Sequence, residues 1–178
     1  MEPRAVTIED VCIIERQIGR PPRGVLGIAR RCSFGYPQVI RVAPVVDGKP
    51  FPTGAWLTCP FLVSAIGRLE AAGWVGQLEE AMAADPALAD AMDRAHERAV
   101  AERRALLTDA DRRALRANGI GALEKGIGGI ADRRRLKCLH LHAAAALAAA
   151  GGNPVGDRVL GLLAARECSR NQVICSAL

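Results

Sequence analysis

Apolar positions recur at helical spacing at the start of the chain and change to strand-like runs soon after. Ile8, Val11, Ile14 and Ile18 fall three or four apart behind Thr7, a capping residue, and predict a helix over residues 7–18. Gly19 stops it, and Pro21-Pro22 keeps the following stretch extended. Residues 25–31 and 38–42 read as two short strands. Ser33-Phe34-Gly35-Tyr36-Pro37 between them has turn chemistry, so a hairpin is the simplest arrangement. Asp47-Gly48 marks another turn and residues 55–58 a third strand, which makes residues 25–58 a small antiparallel sheet.

Beyond Pro60 the pattern is helical. Leu62, Ile66 and Leu69 share one face of a helix over residues 61–72, and a second helix spans 75–84. Asp85-Pro86 opens a long helix reaching about residue 107, with Asp85 as cap and Pro86 in its first turn. Thr108 caps a helix running to about 117, which Asn118-Gly119 ends. A glycine-rich stretch over 119–130 is expected to be irregular. A strong helix former follows over 139–150, closed by Gly151-Gly152, and a last helix covers about 157–165. The expected fold is α+β: about three N-terminal strands packed with a larger C-terminal helical part. All 178 residues form one domain, with residues 166–178 a loose tail.

Composition sharpens this picture in two ways. Only six aromatic residues are present, so the core must rest on Ala, Leu, Val and Ile. The net charge is +5, and arginine supplies nearly all the positive charge, since Lys49, Lys125 and Lys137 are the only lysines. A basic, arginine-rich surface suits a phosphate-bearing partner. Nucleic acid ranks below a small phosphorylated ligand because side chains for base stacking are few. Met1-Glu2-Pro3-Arg4 does not open a secretory signal, and the apolar run ending at Ala150 is too short for a bilayer span; a cytoplasmic protein is expected. In that compartment six cysteines mean thiols, metal ligands or redox chemistry sooner than a disulfide scaffold.

The densest set of potential ligands is Lys137-Cys138-Leu139-His140-Leu141-His142, where the glycine-rich stretch gives way to a helix. On a helix Cys138 and His142 share a face; on an extended chain Cys138, His140 and His142 do. Either arrangement suits zinc or an iron–sulfur cluster, and a cysteine at a helix start beside Lys137 and Arg135 also suits a nucleophile. Cys59 stands at a strand-to-helix junction and Cys32 at the end of the first strand, both able to face one sheet edge. There is no Cys-x-x-Cys pair, which excludes zinc-ribbon and thioredoxin patterns. Cys12, Cys168 and Cys175 read as incidental. Gly126, Gly128 and Gly129, followed by Arg133, resemble an anion cradle, and Arg20 and Arg23 in a stiff turn could add phosphate contacts.

Taken together, GRPPRG (19–24), Arg31-Cys32, PFPTGAWLTCP (50–60), LEAAG (69–73), His96, residues 126–130, KCLH (137–140) and NPVG (153–156) carry a resemblance. They resemble the bacterial family known as domain of unknown function 501. The resemblance implies that Cys32, Cys59 and Cys138 belong to shared motifs, with His140 in the last of them. Some members carry a further cysteine near Phe34 or Gly35, which this chain lacks.

Three functions follow from these residues. In the leading one, Cys32, Cys59 and Cys138, with His140 or His142, bind zinc or an iron–sulfur cluster, in a protein that could act on an anionic small molecule. In the second, Cys138 or Cys59 is a metal-free nucleophile with a histidine base; Cys138 and His140 are the catalytic candidates. In the third, the chain is a non-catalytic phosphate- or nucleotide-binding module.

Overall fold

The computed structural model describes residues 6–115, 117–149 and 152–178. The expectations about the first four residues, about a helix through Arg116 and about the helix end at Ala150-Gly151 fall on positions outside these.

Helix α1 (Ile8–Ile18) starts at a reciprocal cap. Thr7 Oγ1 accepts from Asp10 N–H, and the Asp10 carboxylate accepts from Thr7 N–H, both at 3.1 Å. Strands β1 (Val25–Arg31) and β2 (Pro37–Val42) pair antiparallel, with Val25 opposite Val42 and Ile28 opposite Ile40. A small ribbon, β3 (Val45–Val46) and β4 (Lys49–Pro50), was not anticipated as strands. Its turn, Asp47-Gly48, has positive φ at both residues (51° and 70°), the geometry that joins strands with native twist. Strand β5 (Ala55–Leu57) then adds beside β2, giving the order β1-β2-β5.

The middle strand is buried on both faces, and its alternation defines the layers. Val39 faces one core with Ala55 and Leu57, while Ile40 and Val42 face another with Ile14 of α1. α1 therefore covers one side of the sheet and the helical half covers the other. That half comprises α2 (Pro60–Ala71), α3 (Trp74–Ala84), α4 (Pro86–Leu106), α5 (Asp109–Ala114), α6 (Ala117–Leu123), α7 (Leu139–Ala148) and α8 (Pro154–Leu162). α7 is apolar nearly all round, and such a helix belongs in an interior. It packs against the three sheet strands, α2 and α8. Its Leu139, Ala143 and Ala144 are fully buried, and a buried leucine of this kind stabilises by about 1.5–3 kcal/mol. Gly156 of α8 is required by that packing: a Cβ there would stand 2.1 Å from the His142 carbonyl oxygen.

The main departures from the sequence reading have identifiable physical causes. α8 begins at Pro154, not 157, because Asn153 Oδ1 accepts from Gly156 N–H at 2.8 Å. The glycine-rich stretch is partly helical, with α6 passing through Gly119 and Gly121 and a 3-10 turn at Ile127–Gly129. Residues 166–178, expected to hang loose, are clasped to the sheet. The Glu167 carboxylate accepts from Ser33 N–H (2.9 Å) and Ser33 O–H (2.7 Å), and Gln38 Nε2 donates to the Arg166 carbonyl (2.9 Å). Among the described residues no helix is long and apolar enough to cross a membrane.

Candidate functional site

Cys138 has extended backbone angles (φ −165°, ψ 154°) and occupies the N-cap position of α7. It therefore lies outside the helix, and the side chains that follow separate. His142 turns into the core, where it is 2% exposed. His140 turns outward, to Glu70 near the C-terminal end of α2. The sulfur of Cys138, a ring nitrogen of His140 and a carboxylate oxygen of Glu70 all lie within 4.8 Å of one another.

Glu70 organises this corner. Its Oε1 accepts the N–H of Leu139, the first residue of α7, at 2.6 Å, and also meets His140 Nδ1 at 3.1 Å. A carboxylate at a helix N-terminus compensates the unpaired N–H groups and the positive end of the dipole. The other ring nitrogen, Nε2, meets the Val63 carbonyl at 3.0 Å. A carbonyl and a carboxylate can only accept, so satisfying both contacts requires a proton on each nitrogen, an imidazolium. The adjoining Cys138 thiol, the Val63 carbonyl and the Glu70 carboxylate hold it in that form, pushing the His140 pKa up to about 9 against the opposing effect of burial.

The pair faces a cleft of about 430 Å³. Trp56, Val63 and Leu141 give it apolar walls, while Thr53, Lys137 and the Cys138–His140 pair supply polar groups. Lys137 Nζ donates to the Gly128 carbonyl (3.1 Å), which holds its charge at the rim. The Arg20 guanidinium stacks on the Trp56 ring, 5.0 Å from its centroid.

The remaining expected site residues are dispersed. Among the described residues the only set of three or more Cys, His, Asp or Glu within 4.8 Å is Glu70–Cys138–His140, so Cys32, Cys59 and His142 do not join Cys138 there. Cys59 is the buried N-cap residue of α2, and Cys32 follows β1 at the hairpin turn. His142 Nδ1 meets the Asn153 amide at 3.2 Å, and its ring stands edge-on to His96, with centroids 6.5 Å apart. Burial, followed by the neighbouring His96, pulls the His142 pKa down to about 4.

The anion cradle also reads differently once folded. The N–H groups of Gly126, Ile127, Gly129 and Ile130 are consumed internally, that of Ile127 by His96 Nδ1 at 3.0 Å. These glycines are instead close-packing positions. A Cβ would come within 2.6 Å of the His96 ring at Gly126, and within 2.4 Å of Leu141 at Gly128 and 2.7 Å of Pro52 at Gly129. Arg23 pairs with Asp47 at 3.0 Å, and Arg133 lines a hollow beside Glu79 and Asp93.

Two residues escaped the sequence reading. Glu70 lies within LEAAG, a segment already marked by the family resemblance, but nothing in its spacing tied it to His140. Arg103 is 3% exposed, and its guanidinium donates to the carbonyls of Leu123 (3.0 Å), Pro52 (3.1 Å), Gly126 (3.3 Å) and Lys125. It ties α4 to the glycine segment that leads into Cys138. A 3.6-residue pattern places it on the buried face behind His96 and Val100, the one available hint.

The family model described as "Protein of unknown function (DUF501)" matches residues 28–161. The chain belongs to this family. The match contains Cys32, Cys59, Glu70, His96, Arg103, Cys138 and His140, and stops before Cys168 and Cys175. No curated protein and no solved structure matches the chain.

Proposed function

We propose that the chain is an enzyme in which Cys138 attacks a small molecule held in the cleft beside Trp56. The observation that carries this reading is the hydrogen bonding of His140: both ring nitrogens meet oxygen acceptors, next to a cysteine at a helix N-terminus. That is a counter-ion for a thiolate and a proton source for a leaving group. In an acyl transfer, the Cys138 sulfur forms a bond to the carbonyl carbon and the bond to the leaving group breaks. The leaving group takes the His140 Nε2 proton once the ring lets go of the Val63 carbonyl, and neutral His140 then draws a proton from the water that releases the acyl group. Glu70 positions the imidazole, and N–H groups in the first turn of α7 can face the developing oxyanion. Lys137 and Arg20 favour a substrate bearing a carboxylate or phosphate.

Thiol reactivity tests this. With iodoacetamide near neutral pH, peptide mapping should find Cys138 the fastest cysteine to be alkylated, ahead of exposed Cys12, and His140→Gln should slow it by about tenfold or more. Alkylation of Cys138 at the rate of Cys12, unchanged by His140→Gln, would end the proposal.

A second reading rests on the 4.8 Å grouping itself. Glu70, Cys138 and His140 could hold a zinc ion or other borderline metal with an open position toward the cleft, provided His140 releases one of its present acceptors. Metal analysis separates the two, since only this reading has bound metal lost on Cys138→Ala.

A further inference from the structure

Cys168 and Cys175, taken as incidental on sequence, are carried by the clasped C-terminal segment to the two cysteines left without a site. Ser33, adjacent to Cys32, holds the side chain of Glu167, adjacent to Cys168. Gln38 links the other two segments: its carbonyl accepts from Cys59 N–H at 3.3 Å, and its amide donates to the Arg166 carbonyl. Gln17 Nε2 reaches both the Pro37 carbonyl (2.9 Å) and the Cys175 sulfur (3.2 Å). The short 3-10 turn Ile174–Ala177, which bears Cys175, packs on α2, the helix capped by Cys59.

The four thiols share one electrostatic neighbourhood. Burial pushes the Cys59 thiol up to about 11 against the opposing Leu62 and Phe61 N–H groups, and Cys175 and Cys168 add smaller upward contributions. Burial, Cys32 and Cys168 raise Cys175, against the Gln17 amide. All four are free thiols; Cys59 is buried and the others are half-buried.

We propose that Cys32, Cys59, Cys168 and Cys175 form a four-thiolate metal site at the clasp between the hairpin, α2 and the C-terminal segment. Four sulfurs with no carboxylate or imidazole among them select a thiophilic centre, an iron–sulfur cluster or zinc. Thiolates around one zinc at 2.3 Å stand about 3.8 Å apart. No three of these sulfurs lie within 4.8 Å of one another, so seating a single zinc requires them to draw closer. Binding releases the thiol protons to solvent and ties the C-terminal segment to the sheet. The site is separate from Cys138 and does not depend on its chemistry.

The test uses the full chain, purified anaerobically and reconstituted in parallel with iron plus sulfide and with zinc. One arm should load one centre per chain: four irons and four sulfides with visible absorption bleached by dithionite, or one zinc. Cys32→Ser, Cys168→Ser and Cys175→Ser should lose it, and Cys12→Ser should keep it. None of the three removes a side chain of the main core, and circular dichroism checks their folding. Alkylation mapping supplies a readout on the unaltered chain: the four thiols become protected on loading and reactive again with chelator. The proposal is overturned if neither arm loads. It is equally overturned if Cys168→Ser and Cys175→Ser load like the unaltered chain, or if anaerobic protein carries a Cys168–Cys175 disulfide.

Discussion

His140 and His142 stand two residues apart on α7 and live in opposite worlds. His140 projects at the rim of a cleft between a carboxylate and a carbonyl, and holds its proton up to about pH 9. His142 is sealed against Asn153 and His96 and stays neutral down to about pH 4. One helix thus separates two chemistries. At the cleft rim it meets Glu70 and the Val63 carbonyl, where a charge has partners; two residues on, its opposite face meets the core, where a charge has none. The difference teaches that residue type does not assign a role: the partners within 3 to 4 Å do.

The most damaging way to break this comparison is to push α8 away from the buried histidine. Gly156→Val should cost more than about 4 kcal/mol, or prevent folding, because the added side chain meets the His142 backbone and cannot rotate clear; urea denaturation measures it. Next comes the direct exchange. His142→Ala should lose about 2–4 kcal/mol while leaving alkylation of Cys138 near its original rate. His140→Gln should do the reverse, costing less than about 1 kcal/mol and slowing that alkylation. Equal stability losses for the two variants would erase the distinction.

The pH dependence is smaller and has opposite signs for the two residues. His142 is neutral when folded but has an ordinary pKa near 6.5 when unfolded, so acid protonates the unfolded chain first. Stability should fall as pH drops from about 6.5 to about 4, and His142→Gln should lessen that fall, with buried His96, also shifted down by burial, supplying the remainder. His140 has its folded pKa raised, so its contribution is complete below about 6.5 and fades as pH rises through about 9. His140→Gln should flatten the alkaline limb and leave the acid one. The least effect is expected from Glu70→Gln, which keeps an acceptor for Leu139 N–H but removes the charge facing His140: the alkaline limb should shift to lower pH without disappearing.

Much of the fold was legible in the residue pattern. The capping box at Thr7, the turn at Asp47-Gly48 and the Asp85-Pro86 start of α4 each depend on neighbours a few positions away, and local chemistry settles them. The α+β class and the three-strand sheet followed from the same cues. What misled were the glycines of residues 126–130 and the C-terminal segment. Glycine signals flexibility or anion contact only if nothing packs against it; here His96, Leu141 and Pro52 occupy the space a Cβ would need. The polar tail reads as loose because its anchors, Ser33 and Gln38, are more than a hundred residues away.

The candidate site divides along the same line. The residue string determined that Cys138 stands at a helix start with a histidine close behind it, since both facts depend on adjacent positions. It also determined that Cys32 and Cys59 lie at strand ends. Only the tertiary structure decided the partners: Glu70 for His140 across the α2–α7 contact, Asn153 and His96 for His142, and the C-terminal segment for Ser33 and Gln38. The physical reason is that a backbone conformation is chosen by near neighbours, whereas charge, proton and metal are held by whatever the packing of distant segments brings within bonding distance.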